Sequence, residues 1–224
     1  MTIEEHRLNS DGFAVAAARL MAGSIRTSVE TRGTCHLALS GGKTPWLVLH
    51  QLADHPLDWS RVHLWQVDER VAPDGHPDRN ATGLQASLIA HAHLPSDHVH
   101  LMDVTSDDLD AAAARYAASL QDLCGGVLDI VHLGLGSDGH TASWHSGDPL
   151  MDVTDRDVAL SEPFDGRRRM TLTVPCINRA RQRIFLVTGA GKSNALDALR
   201  SPTGTIPANR VSDRSTVLIW SNSE

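Results

Sequence analysis

The sequence is poor in cysteine, in positive charge and in long apolar runs, and each shortage removes a class of protein. Cys35, Cys124 and Cys176 are odd in number, widely spaced and without a CxxC pair, so they offer neither a disulfide framework nor a thiolate metal site. They read as buried free thiols. Twenty Lys and Arg stand against 27 Asp and Glu, a net charge of −7 with the 13 histidines neutral, which argues against nucleic acid as a partner. An anionic small ligand is still admissible, because a few local cations outweigh a negative mean field. No run approaches the ~20 apolar residues of a membrane span, and the opening MTIEEHRLNSDG has no apolar signal core. The expectation is a cytoplasmic chain with no membrane contact. Low-complexity segments, internal repeats and linkers are also missing, so residues 1–224 read as one domain, with 41% hydrophobic residues to fill its core.

Apolar strand-like runs alternate with helical ones. CHLAL (35–39), VHLWQV (62–67), LDIVHLGLG (128–136), MTLTV (170–174), RIFLVTG (183–189) and TVLIW (216–220) read as strands. Helices are expected near residues 13–25, through WLVLHQLAD (46–54), and over DLDAAAARYAASLQDL (108–123), which stops at Gly125–Gly126. Strand, loop and helix in repetition predict an α/β fold: a three-layer sandwich with a mostly parallel central sheet, Rossmann-like in outline. In such sheets ligands bind at the carboxyl ends of the strands. SGGKT, DER and GLGSDGH each follow a strand directly, so three polar segments converge on one rim.

GLGSDGHTASWHSGD (134–148) carries most of the chemistry. Gly134, Gly136 and Gly139 satisfy G-x-G-x-x-G, but Gly147 and Pro149 leave no room for the long helix a dinucleotide site needs. His140 and His145, five apart, miss the spacing that stacks metal ligands on a helix, and even with His132 and Asp138 no closed ligand set emerges. G-x-S-x-G is absent around Ser137 and Ser143, which excludes that nucleophile elbow. Acid–base work is left: Asp138 and His140 are two apart, and a carboxylate beside an imidazole fixes its tautomer and raises its basicity. A solvated glycine turn is the plainer alternative for DGH in isolation.

SGGKTP (Ser40, Gly41, Gly42, Lys43, Thr44, Pro45) lacks the first glycine of a Walker loop, since Leu37 stands there. It still joins a strand to a helix, and backbone N–H groups with the helix dipole make an anion seat. Asp68 and Arg70 close the second strand, and Asn80 is placed to cap the helix after the loop. Arg169 and Lys192 supply further cations near strand ends, whereas Arg167 and Arg168 read as surface charge.

Taken in order, LSGGKTP, VDERVAP…RN, LGLGSDGHTAS, RMTLTVPCINRA and FLVTGAGK resemble the 6-phosphogluconolactonase family, which shares a fold group with glucosamine-6-phosphate isomerases and deaminases. The resemblance covers nearly the whole chain, and DGHTAS together with DER is its most specific part. It implies a modified Rossmann-like sandwich without nucleotide or other cofactor. It also implies hydrolysis of 6-phospho-D-glucono-1,5-lactone to 6-phosphogluconate in the oxidative pentose phosphate pathway, with no metal required. His140 would then activate water, Asp138 hold its imidazole, and Arg70 with backbone N–H groups near Gly136 oppose the oxyanion. Asp68 would orient Arg70 or a ring hydroxyl, while the Ser40–Thr44 loop, Arg169 and Lys192 would take the phosphate. Lys43 replaces a small hydroxyl residue, and Trp144–His145–Ser146 replace an apolar pair and proline. Amino-sugar isomerases carry tyrosine at Arg70 and glutamate at His145, so Arg70 favours the lactonase. An isomerase or deaminase using Asp68, and a non-catalytic sugar-phosphate sensor, are the rivals; a monomer or homodimer suits either.

Overall fold

The computed structural model describes residues 3–221. The described residues form ten strands and six α-helices, beginning with β1 (Glu4–Arg7), α1 (Phe13–Arg32), β2 (Cys35–Leu39), α2 (Lys43–Ala53), β3 (Val62–Gln66), β4 (Asp68–Arg70), α3 (Asn80–Leu84) and β5 (Val99–His100). Then come α4 (Leu109–Cys124), β6 (Ile130–Leu133), β7 (Val158–Leu160), β8 (Arg169–Leu172), α5 (Val174–Arg179), β9 (Gln182–Thr188), α6 (Ser193–Arg200) and β10 (Thr216–Ser221). Seven strands form one parallel sheet in the order β1-β10-β9-β6-β2-β3-β5.

The pleat of β2 divides the core. Cys35, Leu37 and Leu39 face the cluster built with α1 and α2, through residues such as Met21, Ile25 and Leu49. Ala38, between them, faces the opposite cluster, with Trp65, Tyr116, Phe185 and Leu196. A strand buried on both faces reads as a nearly continuous apolar run, and CHLAL does so with His36 as its one polar residue. The ends of α1 and α4 follow local chemistry: Gly33 and Gly125 adopt the left-handed conformation that closes each helix, and the Asp108 carboxylate accepts the Ala111 N–H at 2.9 Å to open α4.

Two parts depart from the sequence reading. DER and MTLTV do not extend the main sheet; β4, β8 and β7 form a separate antiparallel sheet that packs Met170, Leu172 and Val158 into the second core. No α-helix follows GLGSDGH before β7: residues 137–148 fold as turns around a Thr141–Trp144 bridge and lead only into a 3-10 turn at Pro149–Asp152. None of the described helices is long and apolar enough to cross a membrane.

A stack of imidazoles covers the β3–β5 side of the sheet. His63 lies 4.6 Å from His36 and 3.8 Å from His98, and its Nδ1 is 3.1 Å from His100 Nε2. Burial, followed by the neighbouring imidazoles, depresses the pKa of His63 to about 4; burial, His36 and His98 do the same to His100, with Asp97 opposing in both. Burial also lowers His36, against the pull of Asp129. These rings fold neutral, whereas the unfolded chain takes up protons near pH 6.5, so stability is full above that pH and is lost as pH falls toward 4. Urea titrations from pH 7.5 to 4.5 should show falling stability, with a shallower fall in His63→Phe. Equal slopes in the two proteins would assign the acid sensitivity elsewhere.

Candidate active site

Strand order reverses between β2 and β6: the chain leaves β2 for β3 on one side and later returns to β6 on the other. Such a switch point opens a crevice beyond the strand ends. Here SGGKT leaves β2 and GLGSDGH leaves β6, and the two are tied by Ser40 Oγ donating to the His132 carbonyl at 3.0 Å. The crevice is a cavity of about 760 Å³. Ser40, Gly41, Gly42, Lys43, Thr44, Asp68, Arg70, Gly136, His140, Arg169 and Lys192 all line it. Asp138 stands behind the wall, its Oδ1 2.6 Å from His140 Nδ1.

That contact fixes the imidazole. Asp138 Oδ1 also accepts the His140 N–H at 3.2 Å. Desolvation pulls the Asp138 carboxyl upward, but the two His140 hydrogen bonds and the ring's charge outweigh it and hold it below the usual range. Gly136 is glycine because a Cβ there would overlap both members of the pair. The Gly136 N–H itself donates to the His140 carbonyl at 2.8 Å and is not free to meet an oxyanion.

The cations divide into two groups. Arg70 and Arg169 are register partners across β4 and β8, so both point to one face of that small sheet. Burial and the charge of Arg70 disfavour the ionised Arg169 guanidinium relative to its ordinary state. Two like charges side by side are unfavourable until an anion joins them. Arg169 also sits 5.2 Å over the Phe164 ring, which stacks on His145 at 3.5 Å, itself 4.8 Å from His140. Arg169 is therefore at the imidazole end of the cavity. The second group is Lys43, exposed at the start of α2, and Lys192, just before α6. The first-turn N–H groups of α2 have no side-chain cap, and Thr44 Oγ1 meets Thr188 Oγ1 at 2.6 Å across the cleft. Gly42 takes φ 133°, a conformation reserved for glycine, and a Cβ at Gly41 would overlap the Asn80 side chain.

DER works differently from its reading as a charged strand end. Asp68 is buried and accepts from Ser143 Oγ at 2.8 Å and Asn80 Nδ2 at 3.2 Å; it makes no ion pair with Arg70, whose Nη1 donates instead to the Asp78 carbonyl at 2.7 Å. Glu69, absent from the sequence-derived site, has no exposure. It accepts from Gln66 Nε2 and from the N–H groups of Arg70, Asn80 and Ala81, all within 2.7–2.9 Å, and pairs with Arg79 at 3.1 Å. Glu69 thus caps α3, the role expected of Asn80, whose own amide turns to Asp68. Thr188 and Ser143 are further site residues the sequence reading missed. Thr188 ends β9 at TGAGK, the one signal that could have found it.

Comparison with known proteins gives this arrangement its relatives. Residues 9–220 match the family described as glucosamine-6-phosphate isomerases/6-phosphogluconolactonase. The chain belongs to that family. A 6-phosphogluconolactonase from Synechocystis sp. is 36% identical over 184 residues, covering 80% of this chain and 76% of that protein. The crystal structure of 6-phosphogluconolactonase from Thermotoga maritima superposes with a TM-score of 0.88 at 25% identity, covering 98% of this chain and 99% of the other. A monomeric glucosamine-6-phosphate deaminase has the same fold, with a TM-score of 0.84, 18% identity and coverage of 98% and 97%. Fold alone therefore does not choose between lactone hydrolysis and deamination.

Removing the Glu69 carboxylate strands a buried guanidinium and several backbone donors. Glu69→Ala should lose about 3–5 kcal/mol of stability in urea unfolding at neutral pH. A loss under about 1 kcal/mol would mean that water replaces the carboxylate freely.

Proposed function

We propose that the protein hydrolyses 6-phospho-D-glucono-1,5-lactone to 6-phospho-D-gluconate, a step of the oxidative pentose phosphate pathway. The observation that carries the reading is the His140–Asp138 pair opening onto the same cavity as two separate cation groups. A phosphorylated lactone has two sites of negative charge in the transition state, the phosphate and the carbonyl oxygen, and the cavity offers cations for each.

In this reading the start of α2, Thr44, Lys43 and Lys192 hold the phosphate. Arg70 and Arg169 oppose the oxyanion, which moves Arg169 from the phosphate to the reacting end and replaces the Gly136 N–H. His140 takes a proton from water as the oxygen bonds to C1. The tetrahedral intermediate collapses, the bond from C1 to the ring oxygen breaks, and His140 returns the proton to that oxygen. Asp138 holds the ring and offsets its transient positive charge. Asp68, with Ser143 and Asn80 fixing its oxygens, accepts from a ring hydroxyl. Arg70, where the resemblance puts tyrosine in amino-sugar isomerases, favours hydrolysis over isomerisation. Three free cysteines suit a reducing compartment such as the cytoplasm.

The test is a coupled assay on freshly generated lactone, with spontaneous hydrolysis subtracted. Wild-type protein should accelerate ring opening, and His140→Ala should fold, bind 6-phosphogluconate and lose about 10²–10⁴ in kcat. Ammonia release from glucosamine-6-phosphate without lactone turnover would replace this reading by the deaminase one. Lys192→Ala should act chiefly on KM. An unchanged KM would take Lys192 out of the phosphate site.

A further inference from the structure

Beyond the reaction, one feature of the loop after β6 is unexplained: His145 is only 6% exposed, and neither ring nitrogen has a hydrogen-bond partner. A neutral imidazole carries one N–H and one lone pair, and leaving both dry is costly. The mechanism makes no use of this residue. We propose that Asp138, His140 and His145 form a binding site for a divalent transition metal of the zinc type, and that the metal inhibits the enzyme by occupying the catalytic imidazole.

The geometry answers the objection raised by spacing. The two histidines are five positions apart, which fails on a helix, but this segment is not helical. The Thr141–Trp144 bridge turns the chain back on itself, with Ala142 at φ 50°. Thr141 Oγ1 donates to the Gly134 carbonyl at 2.7 Å, and Trp144 Nε1 to the Leu172 carbonyl at 2.9 Å, so both ends of the turn are anchored. The result brings one ligand atom from each of Asp138, His140 and His145 within 4.8 Å of the others. Among the described residues, no other group of three or more His, Cys, Asp or Glu side chains meets that condition.

Two imidazoles and a carboxylate, with a fourth position open to solvent, are a common donor set for zinc, at metal–ligand distances of about 2.0–2.2 Å. All three ligands lie within eight residues of chain, so little loop entropy opposes their convergence. Phe164, stacked on the His145 ring at 3.5 Å, holds it in place. Arg169 opposes a cation here, while Asp138 and, at longer range, Asp148 favour one.

The binding claim stands on geometry alone; the inhibition claim rests also on the lactonase reading. Isothermal titration of chelator-free protein with zinc chloride tests the first. Wild type should bind one equivalent through this site. In His145→Phe, which keeps a ring on Phe164, affinity should fall at least about tenfold, since even outer partners of metal ligands are worth roughly 10–100-fold. His145→Gln serves if the Phe variant does not fold. No binding by wild type, or equal binding by folded variants, would overturn the site. In the coupled assay zinc should inhibit wild type and spare His145→Phe, whose activity without zinc stays near wild type. Zinc bound at this site with undiminished turnover would overturn the inhibition. A wild type without lactonase activity would refute the proposed function and leave the titration decisive for the metal.

Discussion

At Glu69 one carboxylate without solvent exposure collects four hydrogen bonds and an ion pair from four directions. An unpartnered buried charge is far too costly to survive, so the groups around it have no freedom to rearrange separately. Gln66 comes from the end of β3, Arg70 from β4, Asn80 and Ala81 from the first turn of α3, and Arg79 from the loop between. This single anion thus turns the chain out of the main sheet. In doing so it presents Asp68 and Arg70, alternate residues on the other face of β4, to the cavity.

From that turn the electrostatics of the cavity follow. Arg70 is carried into register with Arg169, and the two like charges lie at the end where His140 stands. The helix start and Lys192 lie at the ends of other strands. The protein carries a net charge of −7, yet its cavity concentrates cations. A small anion is drawn by the local field rather than the mean one. Of the cavity-lining residues described, His140 is the imidazole held by a short hydrogen bond to a carboxylate, that of Asp138 behind it.

The strands and helices of the main sheet were legible in the sequence because burial on both faces forces continuous apolar runs. CHLAL and RIFLVT needed no other information. Strand β1 was missed: EEHR has no apolar signature, and only pairing with β10 at the sheet's edge makes it a strand. Strands β7 and β5, at three and two residues, are too short to show a period. The separate sheet of β4, β8 and β7 was invisible for a related reason, since strand patterns do not tell which sheet a strand joins. At the site, residue types at strand ends identified all the cavity-lining groups proposed. What they did not reveal were partners: Glu69 took the capping role expected of Asn80, and the Gly136 N–H was taken by its own loop. Hydrogen-bond pairing between distant segments has no one-dimensional signature.

Gly41 has no room for a methyl group because the Asn80 amide fills the space beside it, and Asn80 in turn holds both the carbonyl and the carboxylate of Asp68. The two loops, nearly forty positions apart, are thereby interlocked like adjoining teeth of a key. Divergence at either position is conditional on the other: a smaller residue at 80 would open space at 41 while releasing Asp68. Variation of this cleft should therefore proceed by paired replacements, and related proteins that differ at one of the two positions are expected to differ at both.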